Sequence, residues 1–221
     1  MRVVLLRVSP SLSLMDYFSF FGLPRLLTLD NAALEKQFYA MSRQLHPDRF
    51  ANRTSAEQED ALAQSSLLND AYRTLKDPIE RTEYLLKLEG VDLEEQSRQA
   101  TDASNQSGTQ KMQLVPPDLL EEVFELNMQL EEMRMAKKMG PAGGESDPDL
   151  RESLLVAKKN FDAQLAVLQM ELEALWADWD AALIAQDASA KDAVKSKMVD
   201  LLNRRSYIRN LVRDVNDVLN Q

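Results

Sequence analysis

The sequence contains one histidine, His46, and it stands in the triplet His46-Pro47-Asp48. An imidazole two residues from a carboxylate could ligate a metal or move a proton. A metal site needs three or four converging ligands, and with no cysteine and no second histidine only carboxylates could join His46. General-base catalysis needs a nucleophile and an orienting group, and the local sequence announces neither. The remaining chemistry is recognition. A loop carrying a conformationally fixed proline, one anion and one imidazole can dock on a partner and bias that partner's conformational equilibrium. Lys36, Arg43 and Arg49 lie close in sequence and would supply a positive face beside the triplet. Ordinary solvated helix surface is the competing reading for these three cations.

The elements that must hold the triplet follow from local spacing. Leu34, Phe38, Met41 and Leu45 recur at intervals of four, three and four, one buried stripe of a helix that Asp30 can cap. Pro47 disfavours helical geometry at His46, so the triplet falls in a loop. Ser55 and Gln58 have the spacing of a capping box and open a second long helix that buries Ala61, Ser65, Leu68, Tyr72 and Leu75. A short aromatic-rich helix at residues 16–22 precedes this hairpin. Another short helix at 78–88, with Pro at its first turn and Gly90 after its end, follows it.

Composition agrees with an all-α fold: 221 residues, six glycines, and abundant helix formers. The net charge of −10 sets the overall field against phosphate, so nucleic acid is not an expected partner. The missing cysteines exclude disulfides, thiolate zinc sites and cysteine-held clusters on this chain, and no cofactor is expected. No run approaches the roughly 20 apolar residues that span a bilayer, so no membrane association is expected. Residues 1–14 read as an extension, disordered or from an upstream start codon. The expected location is the cytoplasm, with the mitochondrial matrix as the alternative.

Residues 92–117 are polar and aperiodic and end in Pro116-Pro117, which reads as an interdomain linker. Beyond it, three helices separated by a Gly/Pro-rich loop near Gly143 form an antiparallel bundle over 118–221. Its middle helix carries a seam from Leu154 through Phe161, Leu168 and Leu172 to Trp179 and Ala182. On a helical wheel with Leu120 at zero, the first bundle helix places Leu119, Val123, Leu126, Leu130 and Met133 at about −60° to −140°. Leu120, Phe124 and Met128 fall at about 0° to 80°. That apolar arc is wider than two neighbouring helices cover, so a second patch should stay exposed, rimmed by Glu121, Glu125, Glu131 and Glu132.

The helix, His46-Pro47-Asp48 loop and capped helix, with Asn69, Ala71 and Tyr72 near its end, resemble the J-domain family over residues 15–91. The resemblance implies that His46, Pro47 and Asp48, with Lys36, Arg43 and Arg49 beside them, contact a heat-shock-70-class (HscA/DnaK-type) chaperone and stimulate its ATPase. MDYFSFFGL at 15–23 and RTEYLLKLEGVDL at 81–93 further resemble the HscB co-chaperones of iron–sulfur cluster assembly. That likeness implies a non-enzymatic chain whose bundle binds the cluster scaffold protein. The implied scaffold contacts are Leu120, Glu121, Phe124, Glu125, Met128 and Glu132, with Tyr207 of the last helix alongside. Glu121 stands where the family often has an apolar residue, and Met128 where it often has an acid. The long linker predicts loosely coupled domains. Two other readings stand beside this one: a J-domain co-chaperone delivering a different client, and an enzyme using His46, which would need activity without any chaperone.

Overall fold

The computed structural model describes residues 15–93, 95, 116–139 and 148–220, and these are helical with no strand. The expectations for residues 1–14, most of the linker and the loop around Gly143 lie outside them. The N-terminal part is built from α1 (Tyr17–Phe20), α2 (Asn31–Leu45), a 3-10 turn (Pro47–Phe50), α3 (Ser55–Lys76) and α4 (Pro78–Leu88). The C-terminal part is α5 (Leu120–Met139), α6 (Pro148–Ala185) and α7 (Ala188–Asn220), with a 3-10 turn (Pro117–Leu119) leading into α5.

Each boundary has a local cause. The Asp30 carboxylate accepts from the Ala32 and Ala33 amides, and the Asp77 carboxylate from those of Ile79 and Glu80. At α3 the cap is one residue earlier than the spacing of Ser55 and Gln58 implied: Thr54 and Glu57 form the reciprocal capping box. Gln58 is thereby free to reach back to the loop that precedes α3. α6 ends with Gln186 at φ 56°, and the Gln186 and Asp187 amides return to the carbonyls of Leu183 and Ala182. Asp187 then caps α7 by accepting from the Ala190 amide.

α2 and α3 pack antiparallel. Leu34 and Leu68 are buried, and the Phe38 and Tyr72 rings stack with centroids 4.1 Å apart. Tyr84 of α4 stacks on Tyr17 at 4.4 Å and accepts the Tyr17 amide at 3.0 Å, closing α1 onto α4. Val91 and Leu93 pack against the same core, so the N-terminal domain includes the first residues assigned to the linker.

The three-helix bundle holds over only part of its length, because α5 has 20 residues against 38 and 33 for α6 and α7. The predicted seam of α6 divides accordingly. Leu154, Phe161 and Leu168 join α5 and α7 in one core. Leu172 and Trp179 join Val194, Met198 and Leu202 of α7 in a second core, and that core is shared with Phe18, Phe21, Leu27, Leu75 and Leu86 of the N-terminal domain. The two domains are therefore packed together, contrary to the loose coupling read from the linker. Burial of about 1.5–3 kcal/mol per large side chain outweighs the freedom that a long connection would allow.

Polar contacts fix the orientation. The buried Asp180 carboxylate accepts the Leu27 amide at 2.8 Å and the Thr28 amide at 2.9 Å. Trp176 donates its indole N–H to Thr82 Oγ1 at 3.1 Å and lies under the Arg81 guanidinium. Lys191 pairs with Glu89 at 2.6 Å. Asp180→Asn keeps the shape but leaves one of the two buried amides without an acceptor. It should cost about 1–3 kcal/mol, read from the urea unfolding midpoint. An unchanged midpoint would show that the clasp contributes nothing to docking.

Candidate functional site

His46 ends α2 in extended geometry (φ −62°, ψ 127°), as a residue before proline must, and Pro47 opens the 3-10 turn. His46 Nδ1 accepts the Asp48 amide at 3.3 Å, which assigns the ring proton of the neutral imidazole to Nε2. The Asp48 carboxylate lies 3.5 Å from the same Nδ1, a contact that becomes an ion pair only in the doubly protonated ring. The Asp48 side chain is 89% exposed and that of His46 55%. The triplet thus presents an outward N–H donor, a proline of fixed φ and a free carboxylate acceptor.

Two staples hold this loop. Arg49 folds back to donate to the Arg43 carbonyl at 3.1 Å, in the last turn of α2, where a cation also opposes the helix dipole. Gln58, from the first turn of α3, donates to the carbonyls of both Ala51 and Arg53. Lys36 and Arg43 are exposed on the face of α2 opposite its buried stripe. Tyr39 lies between them in the same arc and is 56% exposed. Sequence reasoning missed it, although its position off the stripe was the available signal.

α5 carries the second surface. Arg204 of α7 grips Asp118 with both guanidinium nitrogens, at 3.1 and 2.5 Å, and this hydrogen bonding holds the Asp118 carboxyl below its ordinary range. Lys137 donates to the Val218 carbonyl at the other end. Between these anchors Leu119, Val123, Leu126, Leu130 and Met133 are at most 5% exposed, as the wheel predicts. Leu120, Phe124 and Met128 are 55%, 69% and 61% exposed. Glu121, Glu125 and Glu132 are exposed along one border of this strip.

Three positions differ from the sequence reading. Tyr207 is 8% exposed and packed in the bundle core, and burial pushes its phenol above its ordinary pKa. It therefore adds no surface to the strip. Glu131 falls inside the apolar arc rather than on its border, at about 20° on the wheel, and is paired with Arg134 at 2.6 Å. Met135, at about 60°, extends the strip by two turns and is 60% exposed. It went unnoticed behind the acidic pair Glu131-Glu132.

The DnaJ domain family model matches residues 16–84, which span the hairpin and its triplet. The solved structure of chaperone HscB from Vibrio cholerae superposes with a TM-score of 0.57 at 26% identity, covering 94% of this chain and 99% of that one. Residues 16–84 are a DnaJ domain in a chain of HscB-like fold. The crystal structure of the human co-chaperone protein HscB shares the fold, with a TM-score of 0.57 at 20% identity, covering 95% of this chain and 83% of that one. Both likenesses extend beyond the DnaJ domain to nearly the whole chain, its helical C-terminal region included.

The two arcs of α5 should respond differently to truncation. Leu126→Ala should cost about 2–5 kcal/mol of stability, while Phe124→Ala should stay within about 0.5 kcal/mol of wild type. Urea denaturation of the two variants measures the contrast, and equal losses would mean that Phe124 is covered in solution.

Proposed function

We propose that this J-domain protein is a co-chaperone that binds the iron–sulfur cluster scaffold protein through α5 and delivers it to a heat-shock-70-class chaperone, whose ATPase the His46-Pro47-Asp48 loop stimulates. The observation that carries the reading is the strip Leu120, Phe124, Met128 and Met135, exposed on a helix whose bundle packs against a DnaJ domain. An apolar centre with a carboxylate border has the anatomy of a protein-binding surface, the centre contributing affinity and the charges orientation. The acids Glu121, Glu125 and Glu132 select a partner segment that is apolar with basic flanks.

On the other surface, His46 Nε2–H and the Asp48 carboxylate form one donor–acceptor pair across Pro47. A conformation of the chaperone that offers the complementary acceptor and donor is stabilised by docking, and the equilibrium shifts toward it. Hydrolysis belongs to the chaperone's own site. Because one chain carries both surfaces, a bound scaffold is held at high effective concentration near the docked chaperone.

The test is a chaperone ATPase assay with and without scaffold. His46→Gln should abolish stimulation while leaving scaffold affinity unchanged. Leu120→Ala with Phe124→Ala should retain stimulation by the J-domain alone and weaken scaffold binding by at least about tenfold, a loss of about 1.4 kcal/mol or more. Undiminished stimulation by His46→Gln would refute the triplet's role. Undiminished scaffold capture by the double variant would leave α5 to another client.

A further inference from the structure

α6 is apolar on two opposite faces. One is the buried seam. The other points away from both cores and carries Leu155, Val156, Val167, Met170 and Ile184, which are 47%, 52%, 47%, 64% and 74% exposed. The residues between them on the same arc are mostly alanines, also exposed. A helix apolar on all sides is ordinarily buried on all sides, and no helix is long and apolar enough for a membrane among the described residues. The stripe runs about 44 Å along α6 and offers roughly 800 Å² of apolar surface, above the ordinary largest patch of a monomer and equal to one partner's share of a standard interface.

We propose that this stripe is a self-association surface, on which α6 packs antiparallel against α6 of a second copy of the chain. The residues are self-complementary about a two-fold axis passing near Leu168 and Gln169. Such an axis sets Val167 level with the second copy's Met170, Ala163 with its Ala174 and Val156 with its Ala181, and it brings Leu155 within about 3 Å of the level of its Ile184. Large residues thus meet apolar neighbours, and the alanine pair permits the close approach that helices need. Lys159 is the cation of the central stripe, and it comes level with the second copy's Asp178; among the described residues neither has an ion-pair partner. The apolar centre of the α5 strip lies on a different helix; only at one end does the stripe approach the proposed scaffold site, where Val156 shares a groove with Glu125. A dimer would carry two scaffold strips and two J-domain loops.

Sedimentation of the full chain at micromolar concentration tests the proposal. Wild type should have twice the mass of the single chain, and Met170→Glu, a substitution at an exposed position, should have the single mass while keeping the wild-type helical circular-dichroism spectrum. Register is tested by cysteines, which the chain otherwise lacks. Positions 163 and 174 are about 16 Å apart within one helix, beyond disulfide reach. Mild oxidation of the Ala163→Cys, Ala174→Cys double variant should therefore yield a covalent dimer that neither single variant yields. A wild type of single mass, a Met170→Glu variant that still dimerises, or cross-linking by either single variant would overturn the proposal. So would a monomeric wild type whose scaffold capture is weakened by Met170→Glu, which would assign the stripe to the scaffold.

Discussion

The structure depends on the docking of the J-domain onto the far half of α6. Trp179 is buried in a core drawn from both domains, and Asp180 beside it accepts two amides from the segment between α1 and α2. A buried carboxylate is tolerated only where its oxygens are satisfied, and here both are satisfied by backbone N–H groups that have no helical partner of their own. The contact joins residues 153 apart in sequence. It turns two domains that could have been tethered loosely into one body, and so determines where the His46 loop stands relative to α5.

The two surfaces on that body differ in physical character. The loop offers a few polar groups at fixed positions, a surface suited to directional contacts that one conformation of a partner satisfies better than another. The α5 strip offers apolar area with a charged border, which favours a longer-lived complex. In the proposed function, a client held on the second surface while the first engages an ATP-driven chaperone would divide capture and triggering between surfaces that can be tuned separately.

Features encoded locally were legible in the sequence. The triplet, the Asp30 cap, the buried stripe of α2 and the two arcs of α5 all follow from spacings within one helix or turn, and each stands where the spacing put it. The α3 cap shifted by one residue because Thr54-Glu57 and Ser55-Gln58 satisfy the same pattern, and only the backbone geometry chooses between them. Tyr207 was misassigned because an amphipathic ring suits an interface and a core equally well. The neighbours that bury it belong to α5 and α6, far away in sequence. Domain docking was illegible for the same reason: nothing near Asp180 reveals that its partners are Leu27 and Thr28.

α6 shows how a single seam can conceal several roles. Its Leu154-to-Ala182 repeat reads as one coiled-coil edge, yet its first half faces α5 and its second half faces the J-domain. A helix that needs only one apolar face carries charges on the other, as α7 does with Lys197, Asp200 and Arg213. α6 instead keeps alanine, valine and methionine on its outward arc, where exposed apolar side chains add nothing to the stability of one chain. That departure is intelligible when α6 is treated as the axis of the assembly, with one arc for the bundle, one for the J-domain and one for a second copy. The weak amphipathicity of α6 then follows from having three partners, each of which requires an apolar face.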